Sequence, residues 1–130
     1  MLLIIFFVLA LTLVQALLPA AYLSRQLGSA AQMGPRDDLP PPSRELGRAQ
    51  RALANLHETL PIFLTLAILS LLLEETGALS LAGGWIYLGA RLAYVPCYLK
   101  GLTPWRSVCF TISMLGLLGL ATPLLVHVLA

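Results

Sequence analysis

Charge is scarce in this sequence. Only 11% of its 130 residues are Asp, Glu, Lys or Arg, where a soluble globular domain carries roughly 25%. The shortfall excludes most cytosolic folds and intrinsic disorder. Eight Lys and Arg against six Asp and Glu, a net charge of +2, leave no basic face for a nucleic acid, so none is expected as a partner. Cysteine is equally sparse. Cys97 and Cys109 lie in or beside apolar runs, in no C-x-x-C or Cys/His pattern, so neither a disulfide framework nor a structural metal is indicated. Both read as small core residues. No internal repeat is evident, which speaks against an inverted-repeat transporter. The first apolar run holds no carboxylate, which speaks against a small multidrug exporter.

What fills the chain is apolar: 58% of residues, with a mean hydropathy of +0.86. Lipid is the solvent that suits it. A membrane-crossing helix needs about 20 apolar residues, and four stretches have that length: 2–23, 53–73, 78–99 and 107–130. The fold expected is all-α, a polytopic membrane protein built as one domain over 1–130, an antiparallel four-helix transmembrane bundle. The connection 24–47 is polar, and Gly28, Gly34, Pro35 and Pro40 to Pro42 forbid a continuous helix there. Ser43 with Glu45 reads as the N-cap of a helix that starts in water and enters the membrane near Leu53. Val14-Gln15-Ala16 resembles a signal-peptide cleavage site, but no basic stretch precedes the run, so the first span is expected to stay in the fold. Pro19 near its end is tolerable in a membrane helix.

Arg25, Arg36, Arg44, Arg48 and Arg51 lie in or near the first connection, and Arg91, Lys100 and Arg106 in or near the third. The second connection has Glu74 and Glu75 and no Lys or Arg. The positive-inside rule then puts loops one and three in the cytoplasm.

An ionisable group inside a span costs a few kcal/mol unless a partner or a wet cavity receives it. On the second helix Arg48, Arg51, Asn55 and Glu58 are spaced by three, four and three, along one face. Glu58 lies about 8 Å below Leu53 at about 1.5 Å per residue. On the third, Tyr87, Arg91, Tyr94 and Tyr98 are spaced by four, three and four. One reading makes Arg51, Glu58 and Arg91 mutual inter-helix glue, with the tyrosines as an interfacial belt. The other counts Arg48, Arg51, Arg91 and Arg106 against the lone carboxylate Glu58, a cationic surplus that wants an anion. Phenols beside guanidinium groups suit a small, flexible ligand bearing carboxylates. His57 points about 100° away from Glu58 and reads as an interfacial or intersubunit residue, and His127 as interfacial. Ser107 and Thr111 read as bonding back to carbonyls one turn earlier, with hydroxyls that could also reach a ligand. Gly116 and Gly119 form only a weak packing signal.

Arg48-Ala49-Gln50-Arg51-Ala52-Leu53-Ala54-Asn55-Leu56-His57-Glu58, followed by Pro61 and Phe63, resembles the second-helix signature of the MAPEG family, the membrane-associated proteins in eicosanoid and glutathione metabolism. Ala90-Arg91-Leu92-Ala93-Tyr94 through Tyr98 is similar to that family's third-helix motif, and Pro104-Trp105-Arg106-Ser107 to the opening of its fourth helix. The likeness runs from about Arg48 to Thr111, and the long first loop resembles a bacterial-type branch. The resemblance implies a homotrimeric four-helix bundle with glutathione as co-substrate between subunits at the cytosolic end. Glu58 would hold the glutathione amino group, Arg51 and Asn55 its carboxylate and peptide groups, and Tyr94 and Tyr98 would line the pocket. Arg106 would be catalytic, stabilising the thiolate. A guanidinium beside a thiol of pKa about 8.5 lowers it, and a helix N-terminus acts in the same direction. Arg48 and Arg91 join the binding set through the charge count.

The expected function is therefore a multi-pass protein of a bacterial inner membrane that binds glutathione or a related thiol and directs it at a lipophilic small molecule arriving from the lipid bilayer, as a transferase or peroxidase-like protein. The alternative is a non-catalytic trimeric membrane scaffold or lipid-binding protein in which the same residues only glue helices.

Overall fold

The computed structural model describes residues 1–129. Among them the secondary structure is entirely helical, in the order α1 (Leu2–Leu27), α2 (Ser29–Met33), α3 (Arg44–Leu72), α4 (Ala78–Leu99), α5 (Trp105–Ala121) and α6 (Leu125–Leu129). The helix ends follow from local chemistry. Gly28, at φ +86°, ends α1 in a conformation that glycine adopts freely. The Ser43 hydroxyl accepts from the Leu46 amide at 3.2 Å, the expected N-cap of α3. Gln26 clasps the start of α3 to the end of α1: its Oε1 accepts from the Ser43 amide at 2.9 Å, and its Nε2 donates to the Pro41 carbonyl at 3.2 Å. The first connection is thus tied down at its far end, and it holds a short helix, α2, that the sequence did not announce.

The expected fourth span, 107–130, is interrupted. Its last residue, 130, lies outside the described residues. Helix α5 stops at Ala121 because Pro123 has no amide hydrogen to continue the ladder. The chain tightens through Leu124 N–H to Ala121 O at 3.0 Å before α6 resumes. There His127 Nε2 lies 3.3 Å from Glu75 Oε1, so His127 meets the α3–α4 turn rather than standing free.

Contacts between named pairs set the helix directions. Asn55 meets Arg91 and Thr59 meets Tyr87, so α3 and α4 run antiparallel. Arg91 also meets Phe110, and Gly83 meets Gly116, so α4 and α5 run antiparallel as well. A Cβ on Gly83 would lie 2.6 Å from the Leu120 amide nitrogen and 2.7 Å from the Gly116 oxygen. Those two backbones touch, which only glycine allows. Gly116, a weak signal in the sequence, is half of this seam.

The core joins Ile4 and Val8 of α1 to Phe63, Ala67, Tyr87 and Leu120, with the Phe63 and Tyr87 rings stacked at 4.6 Å. Outside it, Phe6, Leu13, Ile62, Leu115 and Leu118 are exposed. An apolar exterior of this kind belongs against lipid or another chain. Helices α1 and α3 are long and apolar enough to cross a membrane, α5 is apolar over a shorter length, and α4 has 22 residues.

Candidate anion-binding cleft

Buried positions on α3 include Ala49, Ala52, Leu56, Thr59, Phe63 and Ala67, a stripe at helical spacing that faces the core. Arg48, Arg51, Asn55 and Glu58 each precede a member of that stripe by one residue, about 100° around the helix. They therefore stand at the edge of the bundle rather than inside it. On α4 the geometry differs, because Tyr87, Arg91, Tyr94 and Tyr98 are themselves the buried stripe.

Between these helices and the start of α5 lies an open cleft of about 470 Å³. Arg51, Ala54, Asn55 and Glu58 line it from α3, Tyr94 and Tyr98 from α4, and Arg106, Ser107, Phe110 and Thr111 from α5. An adjoining hollow of about 250 Å³ shares Arg51, Tyr98 and Arg106 and adds Arg48, Gly101 and Thr103. Gly101, at φ +69°, does two things there: it turns the chain in a left-handed conformation, and its missing side chain leaves room for the Arg48 guanidinium lying against it. Arg48 Nη1 donates to the Leu99 carbonyl at 3.0 Å, which pins it across the α4–α5 turn.

Six of the eight residues singled out in the sequence thus line one cleft. Arg48 lines the hollow next door. Arg91 lies behind the wall, at 1% exposure. Its Nη1 donates to Asn55 Oδ1 at 2.6 Å and its Nη2 to Thr59 Oγ1 at 2.6 Å, while its Nε finds no partner. The rings of Tyr87, Tyr94 and Phe110 stand 5.4–5.6 Å from its Cζ, close enough for cation–π attraction. The Thr59 hydroxyl also lies 3.0 Å from the Tyr87 hydroxyl, so Tyr87 belongs to the core layer.

Thr59 and Phe110 were not singled out from the sequence. Thr59 had a visible signal, standing four residues after Asn55 on one helix face. Phe110 had none until α5 was set against α4. Thr111 Oγ1 donates to the Ser107 carbonyl at 3.0 Å, the expected back-bond, and both residues also border the cleft. His57 is exposed and is not among the cleft residues. Cys97 and Cys109 are half-buried, and Cys109 packs on the cluster of Ala52, Tyr94 and Tyr98.

Among the described residues, the one ion pair is His127 with Glu75. Arg51, Arg106 and Glu58 therefore share a cleft without neutralising one another. The Arg106 guanidinium lies over the Tyr98 ring, 5.1 Å from its centroid, and the Tyr98 ring is 5.4 Å from that of Tyr94. Such a wall offers fixed positive charge, hydroxyl groups and one carboxylate. It can receive a ligand with several acceptor groups and a single ammonium.

A helical bundle with an apolar exterior is the architecture of a membrane protein. The family model for the MAPEG family matches residues 1–126, nearly the whole chain. The chain belongs to that family, whose members include glutathione transferases and peroxidase-like proteins. A search of curated proteins returns no match to it.

Proposed function

We propose that this protein binds glutathione, or a closely related thiol peptide, in the α3–α4–α5 cleft and directs its thiolate at a lipophilic electrophile or hydroperoxide. The observation that carries the reading is that Arg51, Arg106 and Glu58 line one open cleft without pairing to each other. Glutathione has two carboxylates, one ammonium and a thiol. Its ammonium suits Glu58, and its carboxylates suit Arg51 and the hollow where Arg48 adds charge. Arg106, at the first turn of α5, lowers the thiol pKa as a fixed cation at a helix N-terminus. The proton leaves to water through the open mouth of the cleft, and the thiolate faces the apolar side of α5.

In this reading all four long helices span the membrane, with the Arg-rich first and third connections in the cytoplasm. A homotrimer supplies the missing wall: Ala54, Glu58, Ser107 and Thr111 are exposed at the cleft rim, where a neighbouring subunit would close it. Turnover by detergent-solubilised protein tests the reading, with glutathione and either a halonitroarene or a fatty-acid hydroperoxide. Thiol-dependent consumption of either, lost in Arg106→Ala, supports it. Binding of glutathione with no consumption of any lipophilic acceptor would instead favour a ligand-presenting scaffold.

A further inference from the structure

Asn55 is the sole asparagine of the sequence, and it joins the cleft to the layer beneath. Its Oδ1 accepts from Arg91 Nη1 at 2.6 Å. A guanidinium donates and never accepts, so the amide oxygen must turn toward Arg91 and the amide nitrogen away from it. Arg91 cannot swing to release it. It is 1% exposed, its second arm is bonded to Thr59, and the aromatic rings of Tyr87, Tyr94 and Phe110 surround it. Asn55 Nδ2 has no hydrogen-bond partner among the described residues, and the side chain lines the cleft.

We infer that Arg91 is a positioning residue that acts on the ligand through Asn55. It holds the amide so that both Nδ2 hydrogens face the cleft, and that point of the wall accepts only a carboxylate or a carbonyl. An amine or an amide N–H meets a donor there and is refused. Arg51 and Arg106 are donors as well, so beside hydroxyl groups that can play either part the wall has a donor side and one anionic acceptor, Glu58. A ligand with a single ammonium then has one orientation. The choice of glutathione as probe rests on the function proposed above, whereas the amide orientation rests on the Arg91 contacts alone.

The lone asparagine makes the test direct, because protein labelled with 15N-asparagine gives one side-chain NH2 signal pair. Without any ligand, Arg91→Lys is expected to move that pair, since a lysine lacks the planar fork that spans Asn55 and Thr59. On titration with glutathione the wild-type pair is expected to shift and saturate. Arg91→Lys and Asn55→Leu are each expected to weaken binding about 10-fold, the scale of one hydrogen bond to a charged group. Arg91→Lys placed on Asn55→Leu is expected to add less than about a further 2-fold, as residues acting through one contact do. A full second 10-fold loss, or a ligand-free signal pair that Arg91→Lys leaves unmoved, overturns the inference. A ligand-free shift with no response to glutathione in the wild type keeps the orientation and removes the ligand reading. Should Arg91→Lys not assemble, Asn55→Asp serves: its second oxygen faces the cleft and repels a carboxylate. It must then bind glutathione more weakly than Asn55→Leu, and equal binding overturns the inference.

Discussion

Arg106 lays its guanidinium over the ring of Tyr98, 5.1 Å from the centroid, at the point where the α4–α5 turn passes into α5. The ring holds the cation at the mouth of the cleft without neutralising it, as a carboxylate would. A cation–π contact is worth about 0.5–2 kcal/mol depending on desolvation, enough to fix one rotamer of a long side chain.

The thiol bound beside Arg106 is expected to ionise at lower pH than free thiol. Its ultraviolet thiolate band therefore appears earlier on raising the pH, and Arg106→Ala moves the midpoint back up toward about 8.5. Tyr98→Phe keeps the ring and most of the effect on Arg106, while Tyr98→Ala loses it. Equal midpoints for wild type and Arg106→Ala would remove Arg106 from the thiolate's surroundings.

Glu58 is the one carboxylate on the cleft wall. Glu58→Gln keeps the shape and removes the charge, and is expected to weaken glutathione by about 10-fold, as loss of a charge-assisted contact does. The peptide lacking its amino group is expected to bind wild type and Glu58→Gln alike. Calorimetry with both ligands checks this. A uniform loss for both would place the effect in folding and not in ammonium recognition.

Arg51 is exposed and Arg106 half-buried, so solvent ions reach this charge. Binding is expected to fall several-fold between about 0.1 and 1 M salt, where the screening length drops from about 10 to 3 Å. Titration across that range checks it, and salt-independent binding would mean that the ligand avoids the guanidinium groups.

The glycine seam gives a stability test. Gly83→Ala puts a Cβ 2.6 Å from the Leu120 nitrogen and forces α4 and α5 apart, an overpacking worth about 1–3 kcal/mol. Gly119→Ala meets its nearest atom at 3.4 Å, and Gly89→Ala meets nothing within 4 Å. Thermal unfolding in detergent should show a clear fall in Tm for the first and little change for the others.

Much of the cleft was legible because helix periodicity is local. Arg48, Arg51, Asn55 and Glu58 share a face whatever surrounds them. The same rule placed Arg91 in one stripe with Tyr94 and Tyr98, but not its burial behind the cleft wall, which depends on which face of α4 meets α3. Tyr87 and Arg91 meet α3, whereas the buried Gly83 packs on α5 and Gly84 on Ile4 of α1, contacts that no pattern within α4 assigns. The break at Thr122–Leu124 was written in Pro123, but a run of apolar residues on both sides masked it. The Gly83–Gly116 contact pairs positions far apart in the chain, and no periodicity within one helix reveals a partner on another.

The unpaired guanidinium groups that share one cleft are proposed to receive an anionic thiol peptide. Calorimetric titration of the detergent-solubilised wild-type protein with glutathione decides whether they do. Saturable binding in the millimolar range or below, weakened in Arg51→Ala, is the expected result. No heat of binding across millimolar glutathione, with the protein folded, would contradict it.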